Sequence, residues 1–371
     1  MKKFDVRGRI LDMFTKSESM VSVTVVFLGF LAGTLLVLMV QRNPLGIYSA
    51  VVQVVSGWDL RRGIHNVRYI GEWIVASLPL ILCGLSMGFA AKTGLFNIGA
   101  EGQYIVGLTA AQLVGLFGPQ VPIVHWALAC LAGACAGAVW GGISGWLKAR
   151  FSVSEVVSTI MMNYIAFYAS RFITLRIPGA NTFRTPPFPE TARLSSRFLE
   201  SITNNSRLGY GLFLVIGAVF LYWFIIEKTT LGFSLRATGL NKEAARYCGI
   251  NVNASLTTAM SIAGAFAGLA GAIVSLGLFP TGRVLSVQEG YGFDGIAVAL
   301  VGNCTALGIS MSGLLFGMLK SAQPLMQSRQ IPKEITSIIM GLMVIFISLR
   351  AGVKILADWR MKEKVKKRSN Q

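Results

Sequence analysis

The sequence predicts an all-α polytopic membrane protein. It has about ten transmembrane helices at roughly 20 residues per crossing, arranged in two inverted halves, with both termini cytoplasmic. Three observations carry this. The first is apolar sequence without charge. Of 371 residues, 53% are hydrophobic and 13% charged, and mean hydropathy is +0.61; a soluble domain carries about a quarter charged residues. Ser19 to Gln41, Trp73 to Ala91, Gly102 to Leu147, Leu208 to Ile226, Tyr247 to Gly282 and Gly295 to Leu319 contain no Asp, Glu, Lys or Arg. The second observation is the placement of the +18 net charge. Lys2, Lys3, Arg7, Arg9 and Lys16 open the chain, and seven basic residues lie from Lys354 to Arg368. Basic flanks beside membrane spans are retained in the cytoplasm and attracted by anionic lipid, so the charge points to a membrane surface and away from nucleic acid. The third is a repeat. Glu155-Val156-Val157-Ser158-Thr159-Ile160-Met161 returns as Glu334-Ile335-Thr336-Ser337-Ile338-Ile339-Met340, with Phe167 matching Phe346. Each copy follows a Gly-x-Leu-Lys stretch, Gly145 to Lys148 and Gly317 to Lys320.

The first helix is expected near 20–40. Its apolar run is long and no small-residue cleavage site follows, so it reads as a span and not a cleavable signal. The second runs near 70–90, and the third begins after Asn97. The fourth spans 123–147, after the breaks at Gly118-Pro119 and Pro122. The fifth starts at Ser152, where Ser152-x-x-Glu155 has the form of a capping box. The sixth covers 209–227 and the seventh 254–278. The eighth starts near Asp294, the ninth covers 308–326, and the tenth begins at Pro332, a residue suited to a first helical turn.

This order gives a basic N-terminus at 1–18, a membrane domain at 19–350 and a basic tail at 351–371. The positive-inside rule then puts 228–253 in the cytoplasm and 171–208 outside. The outer loop carries Arg171, Arg176, Arg184, Arg193, Arg197 and Arg207, against that rule; Pro186, Pro187 and Pro189 mark it as a folded loop. An odd number of spans separates the repeat copies, so they run in opposite directions. Helices two to five are the expected inverse of helices seven to ten, an arrangement that places a pathway between repeats. The alternative is chance similarity of two apolar helices.

The five cysteines show no Cys-x-x-Cys spacing and read as small hydrophobes. His65 and His125 fall in no metal motif. No Ser-His or paired-Asp constellation marks an enzyme, and no Gly-x-x-x-x-Gly-Lys-Ser/Thr phosphate loop occurs.

Between Lys228 and Ile250 the sequence offers a short helix, capped by Asn241 and stopped at Gly249. Lys242, Glu243 and Arg246 face solvent, and Leu240, Ala244, Ala245, Tyr247 and Cys248 supply small or apolar contacts. A helix of two turns is unstable alone, so it needs a surface to dock on, from this chain or a partner. The bland alternative is a connector lying on the membrane.

Leu235-Arg236-Ala237-x-Gly239-x-Asn241-x-x-Ala244-Ala245-Arg246-x-x-Gly249-Ile250 resembles the ATPase-coupling loop of bacterial ABC importer permeases, in the group that serves simple sugars, nucleosides and, more distantly, branched-chain amino acids. Gly94-Leu95-Phe96-Asn97-Ile98-Gly99-Ala100-Glu101-Gly102-Gln103 resembles that group's most recognisable motif, and Ser158-Thr159-Ile160-Met161-Met162-Asn163-Tyr164 resembles its nucleoside-type members. The resemblance covers residues 65–350. It implies a plasma-membrane subunit that moves a nucleoside, or next a simple sugar, by alternating access. Arg236, Gly239, Asn241, Ala244, Ala245, Arg246 and Gly249 would couple it to a separate ABC ATPase. It also implies a second permease subunit, a related but different chain, and an extracytoplasmic substrate-binding lipoprotein. ATP and Mg would be used by the ATPase; no cofactor is expected in this chain. The competing reading is an ion-coupled secondary transporter, which inverted repeats and broken helices suit equally well.

Glycines at 94, 99, 102 and 107 disfavour one continuous helix, each by about 1 kcal/mol relative to alanine. A break at membrane depth is tolerated where it is buried or lines a cavity. Asn97 would cap the resumed helix, and Asn97, Glu101 and Gln103 are candidates for the solute route. Lys92 supports the other reading, a loop at the cytoplasmic surface. Gly290 to Gly295 forms a comparable element. Asp294 is either its N-cap or, with Asn303 further along the helix, a wall of the pathway opposite Glu101. Phe96, Phe279 and Phe293 either stack on solute or pack against protein and lipid.

Overall fold

A computed structural model describes residues 18–59 and 63–349; the basic N-terminus and tail lie outside the described residues. Helices occupy every position the apolar runs predict. They are α1 (Glu18–Met39), α2 (Leu45–Ser56), α3 (Arg68–Lys92), α4 (Ala100–Phe117), α5 (Val124–Phe151), α6 (Glu155–Leu175), α7 (Arg197–Ile202), α8 (Gly211–Lys228), α9 (Thr230–Leu240), α10 (Lys242–Tyr247), α11 (Val252–Leu278), α12 (Tyr291–Val301), α13 (Ala306–Gln327) and α14 (Glu334–Ser348). Among the described residues, six helices are long and apolar enough to cross a membrane: α3, α5, α6, α8, α11 and the Ser22–Met39 part of α1.

The burial pattern identifies the solvent. On α6 the buried residues are Thr159, Asn163, Ala166, Ser170 and Thr174, small or polar and one turn apart. Val157, Met161, Tyr164, Ile165, Tyr168 and Phe172 point outward and are exposed. A water-soluble helix does the opposite. Large apolar side chains outside and small or polar ones inside is how helices associate in lipid, where no hydrophobic force drives apolar groups inward.

Two compact units are present. One combines α1, the start of α2, the end of α13 and α14. There α1 meets α14 through small residues: a Cβ on Gly29 would come within 2.6 Å of Met343 Cγ, and one on Gly33 within 2.4 Å of Ile339 Cδ1. Arg329 Nη1 donates to Gly46 O at 2.8 Å and to Ser49 Oγ at 2.6 Å.

The second unit, Val51–Ala322, holds α3 and α11 at its centre. Glycines one turn apart on α5 lie against α11: Gly133, Gly137 and Gly141 meet Gly264 or Gly268, and Gly145 meets Met260 and Thr257. A Cβ at Gly264 would sit 2.1 Å from Gly137 O. On the other side of the unit, Gly313 and Gly317 of α13 lie equally close to Ile81 and Ser77 of α3. The packing exchanges partners between the halves: α4 packs on α11, α12 packs on α3, and α4 and α12 meet each other.

The 176–210 connection is folded, as its prolines predict. Strand β3 (Arg184–Pro187) pairs antiparallel with β4 (Thr281–Arg283), with Arg184 opposite Arg283. A short hairpin, β1 (Trp58–Asp59) with β2 (Ile64–His65), precedes α3.

Several local expectations are corrected. Ser152 does not cap α6. It ends α5 in a left-handed conformation (φ 55°), and Glu155 pairs with Lys148 at 2.8 Å instead of closing a capping box. Asn97 does not cap α4, whose N-cap is Gly99 with no side-chain bond. Asp294 lies inside the first turn of α12, after the N-cap Gly290. Asn303 is past the end of α12, in a left-handed turn with φ 52°. Pro332 precedes the helix, which starts at Glu334.

Candidate functional site

The site grows from two interrupted helices. α3 ends at Lys92, and Gly94 (φ +73°) turns the chain back. α4 then resumes at Ala100, already inside the unit: Asn97 Nδ2 reaches Ser86 Oγ of α3 at 3.0 Å. In the other half the chain leaves α11 at Leu278 and starts α12 at Tyr291. A Cβ on Gly295 of α12 would lie 2.5 Å from Cys83 Cβ. Cys83 is in the middle third of the 25-residue α3. Both interrupted helices therefore begin at depth, not at a surface.

Their N-termini meet at Glu101. Its side chain is fully buried. Gly290 N–H donates to Oε1 at 2.8 Å and Gly292 N–H donates to Oε2 at 2.7 Å. The first turn of a helix leaves N–H groups without intrahelical partners and carries partial positive charge. Glu101, from one half of the molecule, satisfies that end of α12 in the other half. Gly292 must be glycine for this approach, because a Cβ there would sit 2.2 Å from Glu101 N.

At the junction the side-chain amides of Asn97, Gln103 and Asn163 are engaged. Asn97 and Gln103 exchange hydrogen bonds, Asn97 Nδ2 to Gln103 Oε1 at 2.9 Å and Gln103 Nε2 to Asn97 Oδ1 at 3.1 Å. Both are buried. Asn163 of α6 accepts from Gly102 N–H at 2.8 Å and donates to Ile98 O at 3.1 Å. In the sequence Asn163 stands out only within the Ser158–Tyr164 motif; its role in clamping the break depends on a neighbour 61 residues away.

The exposed edge of the junction carries charge and rings. Lys320 of α13 pairs with Asp294 at 2.6 Å, with side-chain exposures of 21% and 29%. Lys320 Nζ also lies 4.4 Å from the Tyr291 ring centre. Phe293 is 41% exposed, Phe279 40% and Phe96 38%. Arg283 pairs with Glu289, which accepts from Tyr104 Oη. Asn303 stands apart, two residues past α12, an 11-residue helix about 16 Å long at 1.5 Å per residue. Thus Asn97, Glu101, Gln103 and Asp294 cluster, while Asn303 lies at the far end.

The 229–251 connection forms the second part of the site. Asn241 accepts from the Glu243 and Ala244 N–H groups at 3.0 and 3.1 Å, the expected N-cap. Gly249 (φ +81°) ends α10, with Ile250 N–H donating to Ala245 O at 3.0 Å. An additional helix, α9, precedes α10, capped by Thr229. Ala245 is buried, and Gly239 packs on the α3–α4 turn: its Cβ would lie 2.4 Å from Lys92 O and 2.9 Å from Thr93 C. These two residues face inward. Leu240 and Tyr247 face outward, 89% and 92% exposed. Ala244 is exposed, Arg246 pairs loosely with Glu243 at 3.3 Å, and Arg236 with Glu227 at 3.3 Å. The close approach of Gly239 to Gly94 puts the α3–α4 turn at the same end of the unit as α10. The turn lies at that end while Asn97 to Gln103 run inward from it.

A family described as branched-chain amino acid transport system / permease component matches residues 69–348. The chain belongs to that family. It is a multi-pass membrane protein of the plasma membrane. It is 41% identical to the guanosine ABC transporter permease protein NupP of Bacillus subtilis (strain 168), over 91% of this chain and 95% of that protein. It is 34% identical to the nucleoside ABC transporter permease protein NupB of Lactococcus lactis subsp. cremoris (strain MG1363), over 90% and 91% of the two chains. A second Bacillus subtilis guanosine permease protein, NupQ, is 31% identical over 67% of this chain and 79% of its own. No solved structure matches the chain significantly.

Proposed function

We propose that this chain is a membrane-spanning permease subunit of an ATP-driven ABC importer that carries nucleosides across the plasma membrane by alternating access. The observation that carries the reading is 41% identity, across nearly the whole of both chains, to a permease named for guanosine. The second relative, named for nucleosides, supports the same substrate class over sugars.

The energy source is a separate ABC ATPase, which uses ATP and Mg. It grips α10 and the end of α9, where Tyr247 and Leu240 stand exposed, with Ala244 and Arg246 also open to solvent. Leu240 and Tyr247, 89% and 92% exposed at the ends of α9 and α10, give that partner apolar side chains to cover. Arg236, Gly239, Asn241, Ala245 and Gly249 shape the docking element from within. Two Bacillus subtilis permeases share the guanosine name and both resemble this chain, which supports a second, related permease subunit as partner. An extracytoplasmic substrate-binding lipoprotein delivers the solute.

The topology that fits is one with both termini and the 229–251 connection in the cytoplasm and the 176–210 connection outside, with α3–α6 and α11–α14 as inverted halves. The exchanged packing of α4 and α12 supports it. In this frame the buried Asn97, Gln103 and Glu101 hold the helix break, Asp294 and Phe96 border the solute route, and Asn303 lies toward its cytoplasmic end. The test is a solute panel in vesicles holding the complete transporter. Guanosine and other nucleosides are expected to enter on ATP addition; uptake of pentoses with no uptake of nucleosides would refute the substrate class.

A further inference from the structure

The Asp294–Lys320 pair is unusual in its setting. It lies at the level of Ser77 to Cys83 on α3: Gly295, next to Asp294, abuts Cys83, and Gly317, one turn before Lys320, abuts Ser77. That is the central part of a membrane helix. Both side chains retain exposure, 29% and 21%. A charged pair open to hydrocarbon is expensive, and intramembrane ion pairs are found facing an interior or a water-filled route. Nor is this pair simply a copy of the repeat. Its counterpart, Lys148, pairs with Glu155 across the α5–α6 turn at the end of its helix. Beside the pair lie the Tyr291 ring, 4.4 Å from Lys320 Nζ, and the exposed Phe293. A carboxylate, an ammonium and aromatic faces, open on one side at mid-depth, match a solute with vicinal hydroxyls and a flat ring.

We propose that Asp294 and Lys320 form the ribose-recognition point of the translocation route. Asp294 accepts hydrogen bonds from the 2′ and 3′ hydroxyls, Lys320 donates to their oxygens, and Phe293 with Tyr291 contacts the sugar or base face. This rests on the nucleoside reading above. Where these bonds hold the solute at the barrier of the route, loss of a hydroxyl slows passage roughly tenfold, about 1.4 kcal/mol.

The test uses the complete transporter in vesicles, at guanosine, 2′-deoxyguanosine and 3′-deoxyguanosine concentrations that saturate the binding protein, so that the maximal rate reads the permease step. The wild type is expected to move guanosine about tenfold faster than either deoxy analogue. Asp294→Asn is expected to move all three at the analogue rate, and the exchange Asp294→Lys with Lys320→Asp is expected not to restore the difference. If Asp294→Asn fails to assemble, Lys320→Met, which removes the donor and keeps the carboxylate, is expected to narrow the difference between guanosine and the deoxy analogues; an unchanged difference would overturn the role of Lys320. Equal slowing of all three solutes by the variant, restoration of rate and discrimination by the exchange, or a wild type indifferent to the hydroxyls would each overturn the proposal. A wild type that moves no nucleoside at all would instead count against the nucleoside reading.

Discussion

Glu101 is the residue on which the two halves depend. A carboxylate buried without charge compensation is strongly unfavourable. This one is held by two backbone N–H donors at a helix start, an arrangement that favours an anion. Glu101→Gln keeps the size but replaces one acceptor oxygen with an NH2 group facing an N–H. The expected result is a loss of about 2 kcal/mol in stability, read as a lower melting temperature of the detergent-purified chain. An unchanged melting temperature would mean that the bonds to Gly290 and Gly292 contribute nothing. The sequence placed Glu101 at a broken helix with Asn97 and Gln103, because closely spaced glycines and intramembrane polar residues are visible locally. It did not reveal which partners they hold. Gly290 is 189 positions from Glu101, and Lys320 lies 26 positions from Asp294. No periodicity encodes such pairings; only the fold brings them together. Ser152 failed for a related reason: the same short polar pattern serves a helix end or a helix start, and the left-handed turn was decided by the junction of α5 and α6.

At the scale of elements, the short helix α10 was legible to the residue, since Asn241 and Gly249 are local stop signals whose chemistry does not depend on context. α9 was not. Gly232 and Gly239 disfavour a helix by propensity, yet a Cβ at Gly232 would fall 2.1 Å from Ile225 O and one at Gly239 2.4 Å from Lys92 O. Tertiary closeness, not propensity, selected them. The inward position of Ala245 and Gly239 leaves Leu240 and Tyr247 as the large exposed side chains of this segment, and the proposed docking predicts that the ATPase covers them. The double change Leu240→Glu with Tyr247→Glu should abolish co-purification of the ATPase subunit while the chain remains inserted and folded, since neither side chain packs within it. Full retention of the ATPase would place its grip elsewhere.

At the scale of the whole molecule, the contacts within residues 51–322 run without a break from α10 to α12. α10 follows directly on α9; Gly239 at the end of α9 touches the α3–α4 turn; that turn leads through Asn97 and Gln103 to Glu101, and Glu101 holds the start of α12. Packed contacts of this kind shift between discrete arrangements and do not deform smoothly. Gly239→Val would force the α9 end away from Lys92 O while keeping the exposed Leu240 and Tyr247 side chains. ATP hydrolysis is expected to continue in the assembled complex with nucleoside uptake reduced at least about tenfold, a barrier change of about 1.4 kcal/mol. Uptake and hydrolysis that fall in equal proportion would argue for lost assembly and against lost coupling.

The central claim is that this chain conducts nucleoside with power supplied by another polypeptide. The direct measurement is guanosine uptake into vesicles containing the chain with its ATPase, second permease and binding protein. Uptake should require ATP inside the compartment that exposes α10, stop with vanadate, and persist when ionophores collapse every ion gradient. Uptake by the purified chain alone, driven by an ion gradient and indifferent to vanadate, would contradict the account.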